Sequence, residues 1–235
     1  MFEHLGRAIH NALDPDQSAV QGRQPTLETL LPGDVVSLWD GGDGGDGVVE
    51  AVLDCREELN NRVVTWRWNI LDGGRVLEVG PEGPFLFPRT AVLHQDSAPF
   101  EVLTADPEQG GVLKSFEARV RAGNAARNPS LFEYEGKTYR VVSTGTFDAR
   151  PVGAISPSPS PGTAYPRAEV WRDITPSNPG ENVYFELDPT DDTNPDETTV
   201  LGIWTTHIAL LFGRALTGAD VQAIYPRATD ETKRP

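Results

Sequence analysis

From Leu31 onward, apolar residues recur at every second position in short runs separated by Gly- and Asp-rich clusters, and this spacing constrains the fold more than any other feature. Successive strand residues point to opposite faces, so a period of two describes a strand with one buried face. Val35, Val36, Leu38 and Trp39, then Val48, Val49, Val52 and Leu53 across a Gly and Asp cluster, spell a β-hairpin. A second pair follows: Val63 to Leu71, rich in β-branched residues and Trp, the turn Asp72-Gly73-Gly74, and Arg75 to Val79. Phe85 to Phe87 and Thr90 to Leu93 add one more short strand, interrupted at Pro88.

The later chain follows the same plan. Leu131 to Tyr134, the turn Glu135-Gly136-Lys137 and Thr138 to Ser143 correspond to the first hairpin, and Glu169 to Asp173 matches Val64 to Trp68 through a shared Trp-Arg step. Asn182 to Leu187 and Val200 to Phe212 resemble the closing strands of the first half. The expected fold is therefore all-β, with two pseudo-repeated units at residues 30–95 and 129–215, each a small barrel or twisted sheet, and a short helix at each terminus.

The flanking segments complete this plan. Residues 1–29 hold an amphipathic helix, with Phe2, Leu5, Ile9 and Leu13 at helical spacing, and a polar linker. The connecting segment 96–128 alternates Phe116, Ala118 and Val120 with Glu117, Arg119 and Arg121, which predicts a strand; a helix from Val112 is the alternative. In residues 216–235, Thr217 and Asp220 have capping-box spacing ahead of Val221, Ile224 and Tyr225, which predicts a last helix ending before Pro226.

Charge excludes some functions. With 35 acidic against 20 basic residues, the net charge is −15, which opposes nucleic acid as a partner because that affinity comes from Lys and Arg displacing counterions. The longest apolar run, Ile208 to Phe212, falls far short of the ~20 residues a membrane-spanning helix needs, and the N-terminus lacks the apolar stretch of a signal peptide. One cysteine, Cys55, allows no internal disulfide and no multi-cysteine metal site, so the cytoplasm is the expected location. Nothing in the sequence specifies an oligomeric state.

Candidate chemistry is sparse. Asp40, Asp43 and Asp46 on a Gly-rich loop, with Glu50 just beyond, offer the oxygen ligands that calcium takes. Their three-residue spacing differs from that of an EF-hand, so a plain hairpin turn stands beside the calcium reading. No other cofactor is implied. Trp66, Arg67, Trp171 and Arg172 are candidate binding residues, as are Trp204 and His207 on the late strands; core Trp residues with a structural ion pair are the alternative. On a strand, Trp66 and Trp68 share one face while Arg67 takes the other. No phosphate loop, dinucleotide fingerprint, nucleophile elbow or paired-histidine helix is present, and no catalytic residue is assigned. The reading that follows is a non-catalytic module with a protein partner, against the alternative of a hydrolase-type enzyme using a carboxylate and a histidine, His94 or His207.

Gly33-Asp34, Trp66-Arg67-Trp68, Phe132 to Tyr139 and Ile203-Trp204 together resemble bacterial domain-of-unknown-function family 4178, in tandem copies over about residues 30–215. The resemblance implies β-rich modules and an accessory role in operons linked to membrane stress or polyamines. It implies no catalytic residues.

Overall fold

The structure is a computed structural model and describes residues 23–39, 45–59, 61–152, 182–191, 197–204 and 207–227. The first half gives β1 (Val35–Leu38), β2 (Gly45–Leu59), β3 (Arg62–Leu71), β4 (Val76–Gly80) and β5 (Gly83–Leu93). Two helices follow, α1 (Ala98–Thr104) and α2 (Val112–Arg121). The second half gives β6 (Leu131–Tyr134), β7 (Lys137–Pro151), β8 (Asn182–Pro189), β9 (Thr199–Trp204), β10 (Ile208–Ala215) and β11 (Val221–Tyr225).

These strands form one antiparallel sheet in the order β11-β1-β2-β3-β4-β5-β10-β9-β8-β7-β6. A further pairing between β2 and β7, from Leu53↔Pro151 to Arg56↔Asp148, closes the eight strands from β2 through β7 into a barrel. The first half supplies β2 to β5 and the second supplies β7 to β10. Eight strands enclose a space that side chains just fill, and here Trp68, Phe87, Phe147, Ile203 and Leu211 fill it.

Alternate positions turn outward and are covered on two sides. Leu30, Val36, Leu38 and Leu216 lie over Leu71, Leu77 and Leu86 on one wall. On another, α1, α2 and β6 bring Leu103, Phe116 and Phe132 against Phe185, Val200 and Phe212. The inward set changes phase on β5, where Phe212 pairs with Arg89 but Arg214 pairs with Leu86. That bulge falls at Pro88, which has no N–H to give to a ladder, and it makes one strand of the two pieces separated in the sequence.

The structure corrects several expectations. The two halves do not close as separate barrels; they complete one barrel together. Phe116 to Val120 is helical, because Val112, Leu113 and Phe116 are buried at helical spacing while Val120 is half exposed. Residues Val221 to Tyr225 form β11 and not a helix, since β1 offers an open edge and pairs with them from Val35↔Tyr225 to Leu38↔Val221. The cap-like spacing of Thr217 and Asp220 builds a tight turn, with the Thr217 amide and hydroxyl donating to Asp220 Oδ2 at 2.6 and 2.7 Å. The expected N-terminal helix lies outside the described residues.

Candidate functional site: a charged groove on the barrel wall

Where β7, β2 and β3 run side by side, pairing brings Asp148 beside Arg56 and Thr65, and Arg150 beside Asp54 and Arg67. All point outward, because Leu53, Cys55, Trp66, Trp68, Phe147 and Ala149 at alternate positions point into the barrel. These side chains, with Val79 and Gly80 of β4 and Glu28 of the preceding turn, line a groove of about 550 Å³. That volume is within the usual range for a ligand site.

Not every charge in the groove is engaged. Arg67 donates through Nε to Asp54 Oδ1 at 2.7 Å and through Nη1 to the Glu28 carbonyl, so it braces the groove's floor. Arg56 turns along its own strand to Glu58, in a pair exposed on both sides and so worth little. Asp148 Oδ1 is shut off from solvent with no hydrogen-bond partner, and Arg150 is exposed with no ion pair among the described residues. The wall thus presents one unengaged anion and one unengaged cation two residues apart on β7.

Behind this wall, the barrel's interior carries glutamates among aromatic rings. Trp66, Trp68, Phe147 and Tyr184 form one ring cluster, with centroids 5.2–6.3 Å apart. Glu78 Oε2 accepts from Trp68 Nε1 at 2.6 Å, Glu57 Oε2 from the Tyr184 hydroxyl at 2.9 Å, and Glu186 Oε2 from the Ser143 hydroxyl at 2.5 Å. Desolvation, with added repulsion from Glu186 and Glu82, pushes the Glu78 carboxyl up to about 7 despite the Trp68 hydrogen bond. The Tyr184 phenol is pushed upward by desolvation and by the glutamates around it. Burial, followed by repulsion from Glu78 and Asp54, holds the Cys55 thiol well above its ordinary value and so keeps it un-ionised, the opposite of a reactive thiol.

The other sequence-predicted residues are scattered. Trp204 and His207 lie on the far wall, β9 being four strands round the ring from β3 in either direction. There Trp204 meets Phe100 edge-on at 6.3 Å, and His207 lies 6.4 Å from His94 between ring centroids. Trp171 and Arg172, the repeat's second anchor, lie outside the described residues, as do Asp40 and Asp43. Asp46 and Glu50 are on β2, where the Asp46 carbonyl accepts from Arg75 and burial raises the Glu50 carboxyl. Among the described residues no three His, Cys, Asp or Glu side chains are grouped to hold a metal ion. Sequence reasoning missed Asp148 and Arg150, and also Glu57, Glu78 and Glu186; period two continued past Leu53 and Cys55 reaches Glu57, and continued past Val76 reaches Glu78.

The chain matches no known protein family, no curated protein and no solved structure. Among the described residues no helix is long and apolar enough to cross a membrane.

Proposed function

We propose that this chain is a non-catalytic accessory module that docks a protein partner on the groove outside its barrel. The observation that carries the reading is the pair of unengaged opposite charges, Asp148 and Arg150, on the wall of a groove of about 550 Å³. The barrel's interior is filled by aromatic and aliphatic side chains with Glu57, Glu78 and Glu186 bonded among them, which favours the outer wall as the place for a partner. The hydrolase alternative asks for a histidine and two carboxylates around one cavity. Glu28, Asp54 and Asp148 line the groove, but neither His94 nor His207 does.

The likeness to family 4178 is part of the same proposal. Each half runs through a four-residue strand (β1, β6), a fifteen-residue strand (β2, β7) and three more (β3 to β5, β8 to β10), β11 being an addition to the second half, and equivalent strands meet at β2–β7 and β5–β10. This order supports a duplicated unit, and an accessory role agrees with the family's associations.

The test is reconstitution. A partner captured from the native cell is purified, recombined with this protein and run on size exclusion, where a stoichiometric complex is expected. Arg150→Glu, on an exposed site, abolishes it. Turnover of a small substrate that is lost in His207→Ala, with no stoichiometric complex, would instead establish the enzyme.

A further inference from the structure

We infer that the groove takes an extended peptide with opposite charges two residues apart, its basic side chain against Asp148 and its acidic one against Arg150. This rests on reading the groove as the docking surface and goes on to name the chemistry of what docks there.

The groove's floor alternates in sign along and across the strands: Asp148 then Arg150 on β7, and Arg56 then Asp54 beside them on β2. Within that pattern Arg67 and Asp54 satisfy each other, and Arg56 extends along β2 to Glu58 in a weak pair that leaves Asp148 without a bond to it. What remains on β7 is an anion and a cation on one face, with the Glu28 carboxylate hydrogen-bonded to Thr26 at the groove's edge. Two residues along a strand span about 7 Å. An extended peptide running beside β7 repeats its own side chains on one face at the same interval, so a basic and an acidic residue at positions i and i+2 meet both charges at once. Because the interval is the same in either chain direction, Lys-x-Glu and Glu-x-Lys both fit, whereas Lys-x-x-Glu turns one charge away.

Each end gains from contact. The Asp148 carboxylate is partly exposed, lines the groove and has no donor among the described residues, so an ammonium or guanidinium reaching it from the groove supplies one; Arg150 can hold a carboxylate through two parallel N–H groups. Thr65, Val79 and Gly80 leave a neutral patch beside the charges for the peptide's backbone and its intervening residue.

The experiment is calorimetric titration of the full chain with five capped peptides: Gly-Lys-Ser-Glu-Gly, its Glu-Ser-Lys reverse, a Lys-Ser-Ser-Glu hexapeptide, and Lys-Ser-Lys and Glu-Ser-Glu versions. The first two are expected to bind at least tenfold more tightly than the other three. Asp148→Asn and Arg150→Gln should each remove that advantage, and added salt should weaken binding. Arg150 is exposed, so its variant folds even if the Asp148 variant does not. Equal binding of all five peptides, no binding at millimolar concentration, or equal binding of free lysine or glutamate overturns the inference. If the peptides fail while Arg150→Glu still breaks a reconstituted complex, this inference falls and the docking reading stands; if both fail, both fall.

Discussion

Glu78 sits in an environment that works against its charge. Inside the barrel, burial with added repulsion from Glu186 and Glu82 holds its carboxyl up to about 7 against an ordinary 4.5, despite the Trp68 hydrogen bond. Below pH 4.5 the carboxyl is protonated whether the chain is folded or not, and its contribution to stability is fully present. As pH rises toward 7 the unfolded chain releases the proton and the folded one keeps it, so stability is lost across that window. Glu78→Gln, neutral at every pH and still able to accept from Trp68, should match the parent at pH 4 and exceed it at pH 8 by roughly 2–3 kcal/mol. Urea unfolding of both proteins at the two pH values checks this, and an equal gap at both would show that the Glu78 charge is harmless. Asp220 behaves in the opposite way, its carboxyl being drawn down to about 2 by Arg214 and Thr217. The alternation of Trp66, Arg67 and Trp68 was readable from spacing alone, down to an Arg67 ion pair on the face away from the rings. The inward glutamates were not, because a carboxylate is assigned to solvent by default and only the closed barrel reveals which face is inside.

At the scale of elements, strands defined by local turns were legible and those defined by distant partners were not. The turns Asp72-Gly73-Gly74 and Glu135-Gly136 place positive φ angles between two alternating runs, so they announce their hairpins in the sequence. Two short segments were misread for a common reason. In α2 a three-residue alternation at Phe116, Ala118 and Val120 imitates a strand, and in β11 the spacing of Val221, Ile224 and Tyr225 imitates one helical stripe. Over five to ten residues the two periods overlap, and the packing partner decides. The bulge on β5 gives a test at this scale. At Gly213, opposite Pro88, an added Cβ would lie 2.0 Å from the Leu86 carbonyl oxygen and 2.8 Å from Phe87 Cα, both backbone atoms of the neighbouring strand. Backbone cannot rotate aside as a side chain does, so Gly213→Ala should cost about 3 kcal/mol, at the upper end for overpacking. A thermal melt reads the loss, and an unchanged melting temperature would mean that the β5–β10 seam yields freely.

Closure is a property of the whole molecule, and no local pattern encodes it. The β2–β7 seam joins residues nearly a hundred positions apart through Leu53↔Pro151, Asp54↔Arg150, Cys55↔Ala149 and Arg56↔Asp148, and the β5–β10 seam joins Leu93 to Ile208. The sequence therefore conveyed two sets of strands without conveying that neither encloses a core. It is also why the groove was invisible there: Asp148 and Arg150 meet Arg56 and Asp54 only across a seam. The interior shows the dependence directly, since Leu53, Trp68 and Phe87 from one half pack with Phe147, Ile203 and Leu211 from the other. A fragment of residues 30–95 would leave those faces in water, together with the open edges of β2 and β5. Its meander has too little enclosed apolar surface to offset the chain entropy lost on ordering. We expect residues 30–95 alone to unfold without a cooperative transition in urea, followed by the fluorescence of Trp39, Trp66 and Trp68, while the intact chain unfolds in one step. A sharp sigmoidal transition in the isolated fragment would mean that the first half holds a core of its own, and the barrel would then be two units docked edge to edge.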